Sequence, residues 1–439
     1  MEPDSPSLPG PSDLATAIQP WVASARWHFG DTAHVKPYHV AILDSAPNAF
    51  AIWFVADDGL RYNIPLVLRI RGSYRAEAAA PSPVGTFQEW DIFDATDDPE
   101  GQRLILERSI APSPHNPLIA HSINTVGSVV AARRLTSEQS NTSIIYDLED
   151  GSRIIIKVFR VFTPGHNPDV ELQQALGSTG TVPRQYGSAQ LEIEGGVADV
   201  VVVQEFLTGT TDAWQVITQD LKDCDGTLGA LGPQITDLGR LTRRFHTALA
   251  EAFPTVHADA QHITAIRDSW AQRAAAAIAA VPELGELEGQ IEMVYTATAH
   301  VNWPDLQRIH GDYHLGQVLN AAGRGWFALD FEGEPLRPLA ERTQPDLALR
   351  DVAGMLRSFD YAVGSAELDG GDREALASWG EAAREAFLFG YGTLDEESQV
   401  LLDALMLDKA LYEVSYEVAQ RPTWLPIPVA GVKRILHSN

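Results

Sequence analysis

The residues best suited to chemistry lie in one stretch of this 439-residue sequence. It reads Arg308-Ile309-His310-Gly311-Asp312-Tyr313-His314-Leu315-Gly316-Gln317-Val318-Leu319, and after it comes Trp326-Phe327-Ala328-Leu329-Asp330-Phe331-Glu332-Gly333-Glu334. Asp312 and Asp330 are eighteen positions apart, and apolar Trp326–Leu329 directly precedes the second. That spacing sets a loop carboxylate beside a carboxylate at a strand end. Phosphoryl transfer asks the protein for positioning and charge neutralisation more than for covalent help. Asp312 would orient an acceptor hydroxyl and take its proton late. Asp330 would be a hard oxygen ligand for Mg2+, and Gln317 would add a neutral oxygen to the same ion. His310 would brace the loop by hydrogen bonds and is counted with the acceptor-side residues. Taken singly, the first trio is a turn with a satisfied histidine and the second a strand end; the order and spacing together favour chemistry.

Elements that could hold these groups follow from composition. Strand-like runs at His39–Leu43, Ala51–Phe54 and Ile64–Ile70 are separated by turn formers such as Asp57-Asp58-Gly59. Arg103–Arg108 is apolar enough for a strand or a short helix. Ser143–Asp147 and Arg153–Phe159 flank Glu149-Asp150-Gly151 and predict a hairpin. A helix capped near Asp169 and running to Leu176 should follow, then strands Gln190–Ile193 and Asp199–Glu205. From about Asp212 the pattern is helical, with apolar positions at Leu238, Leu241, Phe245 and Leu249 within Thr236–Phe253, a second helix over Ala265–Val281, and a last one over Leu401–Ala419.

Composition bounds the class. Hydrophobic residues make up 45 % and charged ones 21 %, enough for two or three packed units and against a disordered chain. The single Cys224 excludes an internal disulfide and fits a reducing cytoplasm. No apolar run approaches the roughly 20 residues that span a bilayer. The acidic, Pro/Ser-rich start lacks the features of a signal peptide. A formal charge of −27, from 59 acids against 32 bases, argues against nucleic acid and anionic membrane as partners. It suits a monomer or a dimer equally.

His310–Gln317 resembles the catalytic loop of aminoglycoside-phosphotransferase-like kinases, H-G-D-x-H-x-x-N, with Gln317 in place of the usual Asn. Asp330-Phe331-Glu332 is similar to their metal-binding strand end. The glutamine, with segments 138–143, 157–160, 167–172, 349–354 and 424–428, resembles the actinobacterial maltokinases and the related glucosamine kinases. The resemblance implies a bilobal, protein-kinase-like α+β fold. Residues 1–108 would form an N-terminal cap, 109–207 an intermediate β-rich nucleotide-binding subdomain, and 208–439 a mainly helical C-terminal lobe with the catalytic and acceptor sites. It also implies ATP and Mg2+. Lys157 would pair the α- and β-phosphates, and Glu171 would hold Lys157 by an ion pair. Ser140, Asn141, Thr142 and Ser143 occupy the place of a Gly-rich loop without a glycine; they would donate hydroxyls and an amide to phosphate, or simply form a polar turn. Backbone groups of Glu205 and Leu207 would bond the adenine at an interlobe hinge.

For the acceptor, the helix Leu401–Ala419 offers Asp408, Tyr412 and Tyr416 on one row, Glu413 and Glu417 on the next, and Trp424 follows. Aromatic plates beside acids grip sugars. The clustered acids, the negative field and the segment Thr208–Asp220 (with Asp212, Trp214 and Gln215), which departs from maltokinases, favour glucosamine, whose ammonium gains from charge-assisted contacts. Maltose, giving a 1-phosphate, is the second expectation and an aminoglycoside the third. A catalytically dead kinase fold that binds a partner is the non-enzyme alternative; the presence of Lys157, Asp312, Gln317 and Asp330 speaks against it.

Overall fold

The computed structural model describes residues 7–30, 35–46, 49–73, 81–113, 116–135, 141–334 and 339–438. The chain divides into two compact units, 1–174 with 183–208, and 175–182 with 209–439.

In the first unit, the run Arg61–Ile70 is apolar on both faces and can only be stable covered on both. Helix α1 (Pro11–Ser24) supplies one cover through Leu14, Ile18 and Val22. The strand is β3 of a six-stranded sheet with β1 (Lys36–Ala46), β2 (Ala49–Asp57), β4 (Gly85–Phe87) and β5 (Trp90–Asp94). Arg103–Arg108 proves helical, within α2 (Pro99–Ile110): Pro99 sits in the first turn, and Asp98 accepts from the N–H groups of Glu100 and Gly101 at 3.0 Å each. A second sheet comprises β6 (Ile119–Ser122), β7 (Val129–Arg134), β8 (Asn141–Leu148), β9 (Arg153–Phe159), β11 (Gln185–Ile193) and β12 (Gly196–Glu205). Trp53, Val55 and Val67 of the first sheet share one core with Ile144, Ile156 and Val201 of the second. After β9 the chain changes sheets, because β10 (Val161–Phe162) pairs with β3. At the crossing, buried Arg160 bonds Asp94, Thr96 and Thr142. Helix α3 spans Pro168–Leu176, and it is Asn167, whose side chain accepts from the Asp169 N–H at 2.9 Å, that begins it.

The second unit opens with β13 (Thr210–Asp212), α4 (Ala213–Asp220), α5 (Gly232–Ala252), α6 (Ala260–Ala280) and α7 (Glu288–Ala297). Asp212 is spent as the cap of α4, accepting from Gln215 N at 2.8 Å. Strands β14 (Val318–Ala321) and β15 (Gly325–Ala328) form a hairpin, with β13 paired to β14. Helices α8 (Leu339–Arg342), α9 (Leu349–Leu368), α10 (Arg373–Tyr391), α11 (Glu396–Gln420) and α12 (Pro426–Ser438) complete it. The helix over Leu401–Ala419 is therefore longer than expected and is not the last one. Pro426 opens α12 in its first turn, where a missing N–H costs nothing. α5 and α10 touch backbone to backbone through glycines: a Cβ on Gly239 would lie 2.0 Å from the Phe387 carbonyl, and one on Gly390 would lie 1.9 Å from that of Thr236. No described helix is long and apolar enough to cross a membrane.

Candidate active site

The 310–317 loop is fixed from beneath by one carboxylate. Asp351, buried on the first turn of α9, accepts from the N–H of His310 at 2.8 Å and of Gly311 at 2.9 Å. His246 Nε2 lies 3.0 Å from its Oδ2, and Nδ1 of the same ring is 3.1 Å from the Tyr391 hydroxyl. Burial pushes the Asp351 carboxyl up, but the His246 contact and charge, His310 and the Gly311 N–H outweigh it and hold it below the usual range. Gly311 adopts φ +85°, and Gly333 Cα stands 3.3 Å from where its Cβ would be, so glycine is required there.

His310 is buried and committed to the protein on both sides. Its Nε2 donates to the Leu329 carbonyl at 2.8 Å, and Nδ1 receives the Asp312 N–H at 3.4 Å. The Phe331 ring lies 4.4 Å away, centre to centre. His310 thus ties the loop to the end of β15, and its assignment to the acceptor side is corrected: both ring nitrogens are used internally. Tyr313 is buried, taking the Thr242 hydroxyl at 3.1 Å, so of His310, Asp312 and Tyr313 the Asp312 side chain alone is partly exposed. Burial pushes the His314 imidazole down, with Asp312 pulling the other way.

Asp330 follows β15 with φ +61°, one of two non-glycine residues in the left-handed region among those described. Such a conformation costs energy and concentrates at functional sites. Gln317 Nε2 donates to Asp330 Oδ2 at 3.1 Å, and Asp330 and Glu332 bring carboxylate oxygens within 4.8 Å of each other. Two carboxylates and an amide that can turn its oxygen inward form a hard donor set that fits Mg2+. Glu332 was not singled out from sequence, although it lies inside the quoted motif.

Lys157, on β9 of the first unit, meets Asp169 Oδ2 at 3.2 Å. Asp169 stands two positions before Glu171 at the start of α3. It also accepts from Gln173, whose Oε1 takes the Gln204 amide at 2.7 Å, so a chain of bonds links Lys157 to the end of β12. Ser140 lies outside the described residues. Asn141 begins β8, so residues 141–143 are strand and not a turn. Thr142 and Ser143 are buried there, and Thr142 Oγ1 receives Arg160 Nε at 2.8 Å. A phosphate-facing role for Thr142 is thereby corrected. Glu205, at the end of β12, donates its N–H to the Arg184 carbonyl at 2.7 Å. Leu207 is buried just beyond.

On α11 the expected sugar-binding acids are already engaged. Asp408 accepts both Arg273 Nε at 2.7 Å and Nη2 at 2.9 Å. Glu413 takes Arg357 at 2.6 and 3.0 Å, and Glu417 takes Arg421 and the Tyr361 hydroxyl. Burial raises the Glu413 carboxyl even so. Arginines thus balance the charge of these clustered acids, which corrects the expectation that they present an anionic pocket to an ammonium. Trp424 is half-buried, stacked on Tyr361 at 6.3 Å with Arg421 4.8 Å from its ring centre. Tyr412 is half-buried too, 5.1 Å from Lys409 Nζ. Lys409 was missed from sequence: it bonds Glu334 at 2.8 Å and stands 3.5 Å from Asp312 Oδ1.

The chain is 28 % identical to a glucosamine kinase of Mycolicibacterium smegmatis over 69 % of this chain and 79 % of that one. It is 27 % identical to a glucosamine kinase of Streptacidiphilus jiangxiensis over 74 % and 78 %. A solved glucosamine kinase in complex with glucosamine, ADP and inorganic phosphate superposes with a TM-score of 0.72 at 23 % identity, covering 98 % of this chain and all of that one, which establishes a shared kinase-like α+β fold. Residues 134–392, more than half of the chain, match the model of the phosphotransferase enzyme family. The chain belongs to that family.

Proposed function

We propose that the protein transfers the γ-phosphoryl of ATP to a hydroxyl of glucosamine. The observation that carries the transfer half is the loop geometry: a partly exposed Asp312 carboxylate on a backbone pinned by Asp351, with Asp330 held in the left-handed region just after β15. The acceptor rests on the relatives, two curated glucosamine kinases matched along 69 and 74 % of the chain. In this reading Asp312 orients the acceptor hydroxyl and receives its proton as the bond to phosphorus forms. Lys157, steadied by Asp169, aligns the α- and β-phosphates. Asp330, with Gln317 and Glu332, would hold Mg2+, which when bound neutralises phosphate charge. Tyr412 and Trp424 offer apolar faces to a pyranose.

An acceptor panel of glucosamine, maltose and an aminoglycoside, with ATP and Mg2+, tests the reading through ADP release and 31P NMR of the product. Glucosamine should be consumed far faster than the others. Comparable or faster use of maltose would contradict it.

A further inference from the structure

We propose that Lys409 is a positioning residue for phosphoryl transfer, clamping the side chain of Asp312 through Oδ1 so that Oδ2 is left aimed at the acceptor hydroxyl. The inference rests on the role given to Asp312 in the proposed function and extends it to a residue on a distant helix.

The loop is secured twice over, and the two fastenings act on different parts. Asp351 fixes the backbone of His310 and Gly311, and His310 Nδ1 takes the Asp312 N–H. None of these reaches the Asp312 carboxylate, whose terminal torsion is broad and roughly two-fold. Lys409 does reach it, from α11, with Nζ 3.5 Å from Oδ1. A lysine is a flexible point charge that holds geometry poorly unless it is itself tied. Here Glu334, buried, ties it at 2.8 Å, and the Tyr412 ring flanks it at 5.1 Å. Lys409 and Asp312 are each only about a quarter exposed at the side chain, 22 and 24 %, so solvent screens the pair weakly.

Charge at this point is also kept constant. Burial would push the Lys409 ammonium down, but Glu334 and then Asp312 outweigh it and hold it above its ordinary value, so it stays a cation across the working pH range. Lys409 therefore cannot serve as a proton acceptor, and its service is geometric and electrostatic. A misplacement of about 1 Å at a reacting group can cost roughly a hundredfold in rate.

The test compares Lys409→Met, Lys409→Arg, Glu334→Gln and Asp312→Asn for kcat, the two KM values and thermal unfolding. Lys409→Met should lose roughly a hundredfold in kcat, with KM for ATP changed less than about twofold. Lys409→Arg, which restores the charge, should regain a large part of kcat, and Glu334→Gln should lose less than Lys409→Met. A merely structural lysine would lower the unfolding temperature without splitting kcat from KM and without rescue by arginine. Wild-type kcat in a folded Lys409→Met, with Asp312→Asn inactive, would overturn the inference and leave the proposed function standing. Full activity of Asp312→Asn would overturn that function itself.

Discussion

At the scale of single residues, the site is a set of groups whose freedom has been removed by neighbours. Asp351 is the test case. Asparagine in its place keeps one acceptor atom but turns an N–H toward donors that need an oxygen. Asp351→Asn should therefore destabilise the protein by about 1–3 kcal/mol at pH 7 and lower kcat. The pH dependence has a definite sign. The folded carboxyl is held below its ordinary value of 3.8, so its contribution is complete above that value and drains as pH falls through the folded one. Urea unfolding of wild type and variant should show the gap narrowing below about pH 4; a gap that widens in acid would contradict the role. Asp312, Gln317 and Asp330 stand out as candidates in the sequence because each sits in a short stretch whose residue types are constrained together. Asp351, Glu334 and Lys409 were not, because their contacts join positions far apart in the chain. Asp408 and Glu413 misled for the same reason: helical spacing shows which acids share a face but not which arginines face them.

At the scale of elements, the hydrophobic periods located most strands and helices, since burial of one or both faces is written in local sequence. Arg103–Arg108 stayed ambiguous because a short apolar run satisfies either period, and the Asp98 cap decides it. Pro426, by contrast, opens α12, where a proline is tolerated because its missing N–H would have no partner anyway. Close helix contacts were invisible, yet the α5–α10 crossing sets the site's floor. α5 carries Phe245 and His246, and α10 carries Tyr391, which meets His246. Gly390→Ala would force a methyl against the Thr236 carbonyl in place of that contact. Thermal and urea unfolding should show a loss of about 1–3 kcal/mol, and kcat should fall as His246 shifts under Asp351. Gly289→Ala, near the start of α7 with nothing within 4 Å, should be neutral or slightly stabilising. Equal effects of the two would contradict the packing account.

At the scale of the whole molecule, family membership and fold rest on more than half of the chain, while the acceptor is carried by relatives of 27 and 28 % identity. The excess of 59 acids over 32 bases gives a field that draws cations in general, but it cannot choose among amino sugars. The kinase-like fold was legible through the 310–317 motif and its order relative to Lys157. The preference for an amine was not legible on the grounds first apparent, because the acids that suggested it are internally paired. The proposed phosphorylation of glucosamine turns on the Asp312 carboxylate, and 31P NMR of ATP and glucosamine with wild type and with Asp312→Asn tests it. Wild type should convert glucosamine to a sugar phosphate with matching ADP, and the variant should be slower by about a hundredfold to ten-thousandfold. No sugar phosphate from wild type, or equal rates from both proteins, would overturn that role for Asp312.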